Sequence, residues 1–215
     1  MNILVIAPHP DDEVLGCGGT IKRYTKEGHD VFLGIVTKAY TPDWSKDFIK
    51  SREKEIASAI KSLGIKKAFF LNLPTVKLDT IPQKDLNLKI GTVVAKVDPD
   101  ILYIPYGGDL NKDHRLLFEA CLVAARPVGN NIKKILAYET PSETEWGIKP
   151  FTPNIYVNIT GTMDDKLKAM KCYKSELRKY PHPRSLENIT VLAKHRGAEV
   201  GLLAAEAFVL VREIL

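Results

Sequence analysis

The chain has 215 residues, 45% apolar and 27% charged, which suits one globular domain with a sizeable core and excludes a disordered or fibrous protein. Lys and Arg outnumber Asp and Glu by 31 to 26, a net +5 spread over many lysines. That balance reads as a solvated surface, and no basic stripe with interleaved aromatics points to nucleic acid. Cys17, Cys121 and Cys172 show no CxxC spacing, which argues against a disulfide framework or a cysteine-rich zinc module and for a reducing compartment. The opening MNILVIAPHP has no basic start and too short an apolar run for a signal peptide or a membrane span, so the expected location is the cytoplasm.

In chain order, NILVIA (residues 2–7), VFLGIVT (31–37), AFFLNL (68–73), DILYIPY (100–106) and KILAYE (134–139) read as buried strands. Between them, residues 15–28, 46–64, 86–97 and 114–127 carry apolar side chains at three- and four-residue spacing and read as amphipathic helices. Strand–helix alternation predicts an α/β, Rossmann-like fold, a mostly parallel sheet with helices on both faces. After Pro150 the pattern predicts a strand at NIYVNIT (154–160) and a helix at 164–180. A proline-stiffened loop, YPHPRS, follows at 180–185. One or two C-terminal helices are expected over 185–215, including LLAAEAF at 202–208. No linker or repeat divides the chain, so a single domain over 1–215 is expected.

Ligands of open parallel sheets bind beyond the carboxyl ends of the strands. Two ionisable clusters fall there: HPDDE (His9 to Glu13) after the first strand and YGGDLNKDH (Tyr106 to His114) after the fourth. Proline and acidic residues suit a helix start without any chemistry, each acid being worth about 0.3–1 kcal/mol against the helix dipole. They do not explain His9 on the last step of a strand, nor adjacent carboxylates where solvent is partly excluded. A cation explains both. His9 and Asp12 can share one metal across the turn, with His114 as third ligand. Two imidazoles and a carboxylate leave a position open, as in catalytic zinc sites; another divalent transition metal suits the same donors. GCGG at 16–19 lacks the GxGxxG spacing of a nucleotide loop and more simply lets a helix approach the sheet. Cys17 beside it reads as a small core residue, and Glu206 as either a paired structural carboxylate or a site-facing one.

APHPDDEVLGCGGTI resembles the signature opening of the PIG-L/LmbE-like zinc-dependent N-acetylglucosamine deacetylases. The likeness continues in SREKEIASAIKSLGI, DLNKDHRLLFEA, YETPSETEW, FTPNIYVNIT, KCYKSELRKYPHPRS and RGAEVGLLAAEAF, nearly the whole chain. The resemblance implies His9, Asp12 and His114 as metal ligands and Asp11 as general base. It also implies self-assembly into a homo-oligomer and removal of acetate from an N-acetylated glucosamine derivative, a small-molecule substrate. In one place the chain departs from the family: where many members have a histidine three residues before the last ligand, it has Asn111, which can donate to an oxyanion but cannot titrate. His182 is the candidate replacement. Arg52 corresponds to an arginine that grips the sugar, although pairing with Glu55 on a solvated helix face would also account for it. Arg184 is a weaker candidate for substrate binding, Asp113 for support of a ligand imidazole, and Trp44 and Trp146 for stacking on a sugar. Two rival readings stand beside the deacetylase: an amidase of a larger conjugate, and a catalytically silent metal- or glycan-binding module.

Overall fold

The computed structural model describes residues 1–215. In chain order the elements are β1 (Asn2–Ala7), α1 (Asp12–Lys26), β2 (Asp30–Lys38), α2 (Lys46–Leu63), β3 (Lys67–Pro74), α3 (Gln83–Val97), β4 (Ile101–Pro105), α4 (Lys112–Ala124), β5 (Lys134–Tyr138), β6 (Ile155–Asn158), α5 (Met163–Met170), α6 (Leu186–Ala198) and β7 (Ala205–Glu213). The seven strands form one sheet in the order β3-β2-β1-β4-β5-β7-β6. The first five are parallel; β7 runs antiparallel to β5, and β6 antiparallel to β7. Sequential strands step outward from β1 on one side, then the chain crosses back to lay β4 on the other. The crevice at this reversal, between β1 and β4, is where such sheets bind ligands.

The period-2 geometry of a strand splits the core in two. On β1, Ile3, Val5 and Ala7 face the cluster shared with α1, α2 and α5, whereas Leu4 and Ile6 face the one shared with α3 and α4. All five are at most 1% exposed, and each fully buried Ile, Leu or Val contributes about 1.5–3 kcal/mol. The strand is therefore held rigidly from both faces at the point where it delivers His9. The glycines of α1 permit close approach. A Cβ on Gly16 would collide with the Tyr138 ring of β5, and one on Gly19 would lie 2.7 Å from Ile159. Local signals set the helix ends: Ser45 Oγ accepts the Phe48 N–H at 3.1 Å to start α2, and Gly64, at φ 80°, closes it.

Two expectations from the sequence need correction. The helix expected over 164–180 ends at Met170, and the chain continues in turns. Tyr173 is fully buried there, and Ser175 is drawn to Glu55, its N–H donating at 3.0 Å and its hydroxyl at 2.7 Å. These tertiary bonds outweigh helix propensity. The second correction is at the C terminus, where only Leu186–Ala198 is helical. LLAAEAF runs into β7, whose Ala205–Phe208 pairs with β6 and whose Phe208–Glu213 pairs with β5. Strand partners on either side, and β-branched Val209 and Val211, favour an extended chain here.

Candidate active site

His9 leaves the end of β1, and Asp11 and Asp12 begin α1; Asn111 caps α4, whose first turn carries His114. The reversal between β1 and β4 brings these helix starts together. His9 Nδ1, Asp12 Oδ2 and His114 Nε2 lie 3.3, 3.3 and 3.4 Å apart (His9–His114, His9–Asp12 and His114–Asp12). A tetrahedral ion with ligand bonds near 2.0–2.1 Å has ligand–ligand edges of roughly 3.3–3.4 Å. The donor set therefore fits a metal in spacing as well as in chemistry.

The outer nitrogens strengthen that fit. His9 Nε2 meets Asp113 Oδ2 at 3.1 Å, and His114 Nδ1 meets Asp109 Oδ2 at 2.8 Å. A carboxylate only accepts, so each outer nitrogen keeps its proton and the inner nitrogen is the one that would give up its proton to bind a metal. Asp113 also accepts the N–H groups of Val76 and Leu78, at 2.7 and 3.1 Å, and Asp109 accepts the Thr144 hydroxyl at 2.6 Å. Burial disfavours charge on the imidazoles, but the carboxylates overcome it and raise His9 to about 9 and His114 to about 10. Asp12 resists the upward push of burial because both histidines hold its carboxyl far below the usual range.

Asp11 differs from its neighbour. It is 2% exposed, and burial followed by the charge of Asp12 pushes its carboxyl up to about 8 against the pull of Arg52 and Arg184. Its backbone is at φ 114°, a conformation that costs a non-glycine residue about 1–3 kcal/mol. Surrounding bonds hold it there. Its N–H donates to Glu13 at 3.0 Å, its carboxylate lies 3.3 Å from Arg184 and 3.7 Å from Arg52, and the preceding Pro10 carbonyl accepts from Arg52.

Arg52 is not on a solvated face. It is 9% exposed, stacks over Tyr173 at 5.0 Å, and reaches Glu55, Ser175 and Glu176. Arg184 joins Glu176 at 2.9 Å, Glu143 at 3.3 Å and the Ser142 hydroxyl at 2.7 Å. Both arginines line a cavity of about 190 Å³ with His9, Asp11, Asn111, Glu176 and Trp44. His182 is not among its lining residues. Its Nδ1 accepts the Arg184 N–H at 3.1 Å and its ring meets Trp146 edge-on, with centroids 6.2 Å apart. Trp146 is 53% exposed.

The family model described as "PIG-L: GlcNAc-PI de-N-acetylase" matches residues 4–125, which include His9, Asp11, Asp12, Asp109, Asp113 and His114. The chain belongs to the PIG-L family. It is 31% identical to the diacetylchitobiose deacetylase of Thermococcus kodakarensis, over 81% of this chain and 69% of that protein. It is also 31% identical to the uncharacterized deacetylase YaiS of Escherichia coli, over 80% and 90%. The crystal structure of the conserved protein TT1542 from Thermus thermophilus superimposes with a TM-score of 0.81 at 27% identity, covering 99% of this chain and 96% of that one.

Four carboxylates of this PIG-L site were not singled out from sequence. Asp109 and Glu13 are buried supports, Glu13 accepting the Tyr173 hydroxyl at 2.6 Å and raised by burial to about 7. Glu176 and Glu143 balance the arginines. Asp109 left a signal, since a loop carboxylate five residues before a ligand histidine is placed to orient its ring, and Glu13 stands within the HPDDE cluster. The other two depend on folding, which brings residues 143 and 176 to a site begun at residue 9. Glu206 turns away from the site and pairs with Lys166.

Proposed function

We propose that this PIG-L protein is a metal-dependent hydrolase that removes acetate from an N-acetylglucosamine-type sugar derivative. His9, Asp12 and His114 are the residues that would hold the ion, with Asp109 and Asp113 orienting the two imidazoles. A zinc ion, or another divalent transition metal, would supply a Lewis acid that polarises a carbonyl and acidifies water.

The observation that carries the reading is the inequality of the two adjacent aspartates. Asp12 is committed to the histidines, whereas Asp11 is buried beside them with its carboxyl raised to about 8. A carboxyl in that range both accepts and returns a proton near neutral pH. Asp11 takes the proton of the attacking water, then delivers it to the departing sugar nitrogen as the amide breaks to acetate and amine. Asn111 accepts the Asp113 N–H through Oδ1 at 3.0 Å, which fixes the amide and leaves its NH2 group to donate to the oxyanion. Arg52 and Arg184 orient Asp11 and offer donors to the sugar hydroxyls. A protein that only bound metal or glycan would gain nothing from a strained, desolvated carboxylate beside the ion.

The test is acetate release from N-acetylglucosamine, its methyl glycoside and diacetylchitobiose by zinc-loaded protein, with a chelated sample and Asp11→Asn alongside. Chelation should abolish release and zinc restore it. Asp11→Asn should keep its zinc and lose about 10²–10⁴-fold in kcat. Release that ignores the chelator, or an Asp11→Asn protein that turns over normally, overturns the mechanism.

A further inference from the structure

Asp11 stands at the N-cap of α1, where an aspartate ordinarily turns its carboxylate back to accept the first free N–H groups of the helix. Asp11 makes no such bond. With φ at 114°, its side chain points instead to Arg52 and Arg184 and is left free for a reaction. Asp12, the next residue, faces the two histidines. Two consecutive carboxylates serve two different places only because the backbone at Asp11 is held in a conformation that few non-glycine residues adopt.

Glu13 supplies the hold. Its Oε2 accepts the Asp11 N–H at 3.0 Å, and its Oε1 accepts the Tyr173 hydroxyl at 2.6 Å. A glutamate in a first helical turn that reaches back to the N-cap N–H makes half of a capping box. The other half, a bond from the N-cap side chain into the helix, is missing here. Glu13 and Tyr173 are both fully buried, so neither has water as an alternative partner. The Tyr173 ring lies under Arg52, 5.0 Å from centre to guanidinium, and Arg52 in turn lies 3.7 Å from the Asp11 carboxylate. These contacts close a ring around Asp11, holding its main chain from one side and its carboxylate from the other. The charges that act most strongly on the Asp11 carboxyl are those of Asp12, Arg52, Arg184 and Glu176; Glu13 acts on its main chain. We infer that Glu13 is a positioning residue: braced by Tyr173, it holds the left-handed backbone of Asp11 and so keeps that carboxylate aimed at the reacting amide instead of capping the helix. The reaction it serves rests on the deacetylase reading; the hold on Asp11 rests on these contacts.

Reach and charge separate in two substitutions. Glu13→Gln keeps the reach: its carbonyl accepts the Asp11 N–H, and its NH2 group donates to the Tyr173 oxygen, which accepts as well as donates. Glu13→Asp keeps the charge and falls one methylene short. With zinc-loaded protein and the methyl glycoside of N-acetylglucosamine, Glu13→Gln should stay within about tenfold of the unsubstituted kcat, whereas Glu13→Asp should lose about 10²-fold in kcat with KM and zinc content unchanged. Tyr173→Phe, which removes the brace and keeps a ring under Arg52, should fall between the two. Crystal structures of zinc-loaded Glu13→Gln and Glu13→Asp read the backbone without any turnover: Asp11 should stay at positive φ in the first and leave that region in the second. A kcat that follows charge, high in Glu13→Asp and low in Glu13→Gln, overturns the inference. So does an Asp11 backbone unmoved in Glu13→Asp, or a loss of zinc from that variant, which would make Glu13 a support of the whole metal site. A backbone that follows reach without acetate release from any form breaks the deacetylase reading alone. Release that is indifferent to both substitutions breaks the positioning role alone.

Discussion

Two buried charge clusters sit on α1, one at its first turn and one at its middle, and they are satisfied in opposite ways. At the middle, Lys166 donates to Glu206 at 2.5 Å and to the Leu15 carbonyl at 2.7 Å, while Glu206 accepts the N–H groups of Gly19 and Thr20 at 2.9 and 2.7 Å. The Leu15 carbonyl and Gly19 N–H are the two ends of one helical rung. The ion pair thus clasps α1 to α5 and β7 with its charges balanced one to one. At the first turn, Asp11, Asp12 and Glu13 are crowded against two histidines whose inner nitrogens face each other, and Asp11 and Glu13 are pushed up to about 8 and 7. Burial is common to both clusters, so burial does not mark the site. What marks it is charge that the protein leaves in conflict, which an ion and a reacting molecule would relieve.

Breaking the balanced cluster should give the largest change in stability. Lys166→Met leaves Glu206 buried without its partner and should destabilise the fold by about 3–5 kcal/mol, read as a lowered urea midpoint, with zinc content unchanged in the folded protein. Zinc loss in step with stability would show that the two clusters are not separate. Asp109→Asn and Asp113→Asn address the site instead; each should weaken zinc affinity about 10–100-fold, read by calorimetric titration with zinc.

The conflict also has a pH signature. With His9 raised to about 9 and His114 to about 10, both are protonated at pH 7 in the metal-free protein. Zinc must displace the inner proton of each, so binding should release about two protons and tighten as pH rises toward 9, measured by calorimetry in buffers of different ionisation enthalpy. Because both folded values exceed the ordinary 6.5, their contribution to metal-free stability is complete below pH 6.5 and is lost as pH climbs through 9 and 10. Asp11, raised above 3.8, acts in the same sense, losing its contribution between about pH 4 and 8. A metal-free melting temperature that rises over pH 6.5–10 would contradict this arrangement. The smallest effect belongs to His182, which lies outside both clusters. His182→Ala should change kcat less than about twofold, whereas a loss comparable to that of an acid catalyst, about 10²-fold or more, would bring it back into the mechanism.

The sequence carried the parallel core of the sheet because each strand from β1 to β5 is a short apolar run flanked by helix-period segments. HPDDE and NKDH were legible because helix starts that follow β-strands fall on one rim whatever the rest of the chain does. Segments stabilised from outside themselves were not legible. The end of α5 is set by Tyr173 reaching Glu13, and β7 by partners on either side. For Arg52 the sequence leaves a solvated pairing with Glu55 open beside the substrate role, until the 170s loop folds over it and closes that alternative. Local periodicity and turn chemistry act over a few residues, so the sequence by itself determined the strands, most helices and the identities of the candidate ligands. Only the tertiary structure decided which carboxylate supports which imidazole, which ion pair is structural, and which hydroxyl braces Glu13. Several of those contacts join residues more than 100 positions apart, such as His9 with Asp113 and Asp11 with Arg184, and no local pattern encodes a partner at that distance.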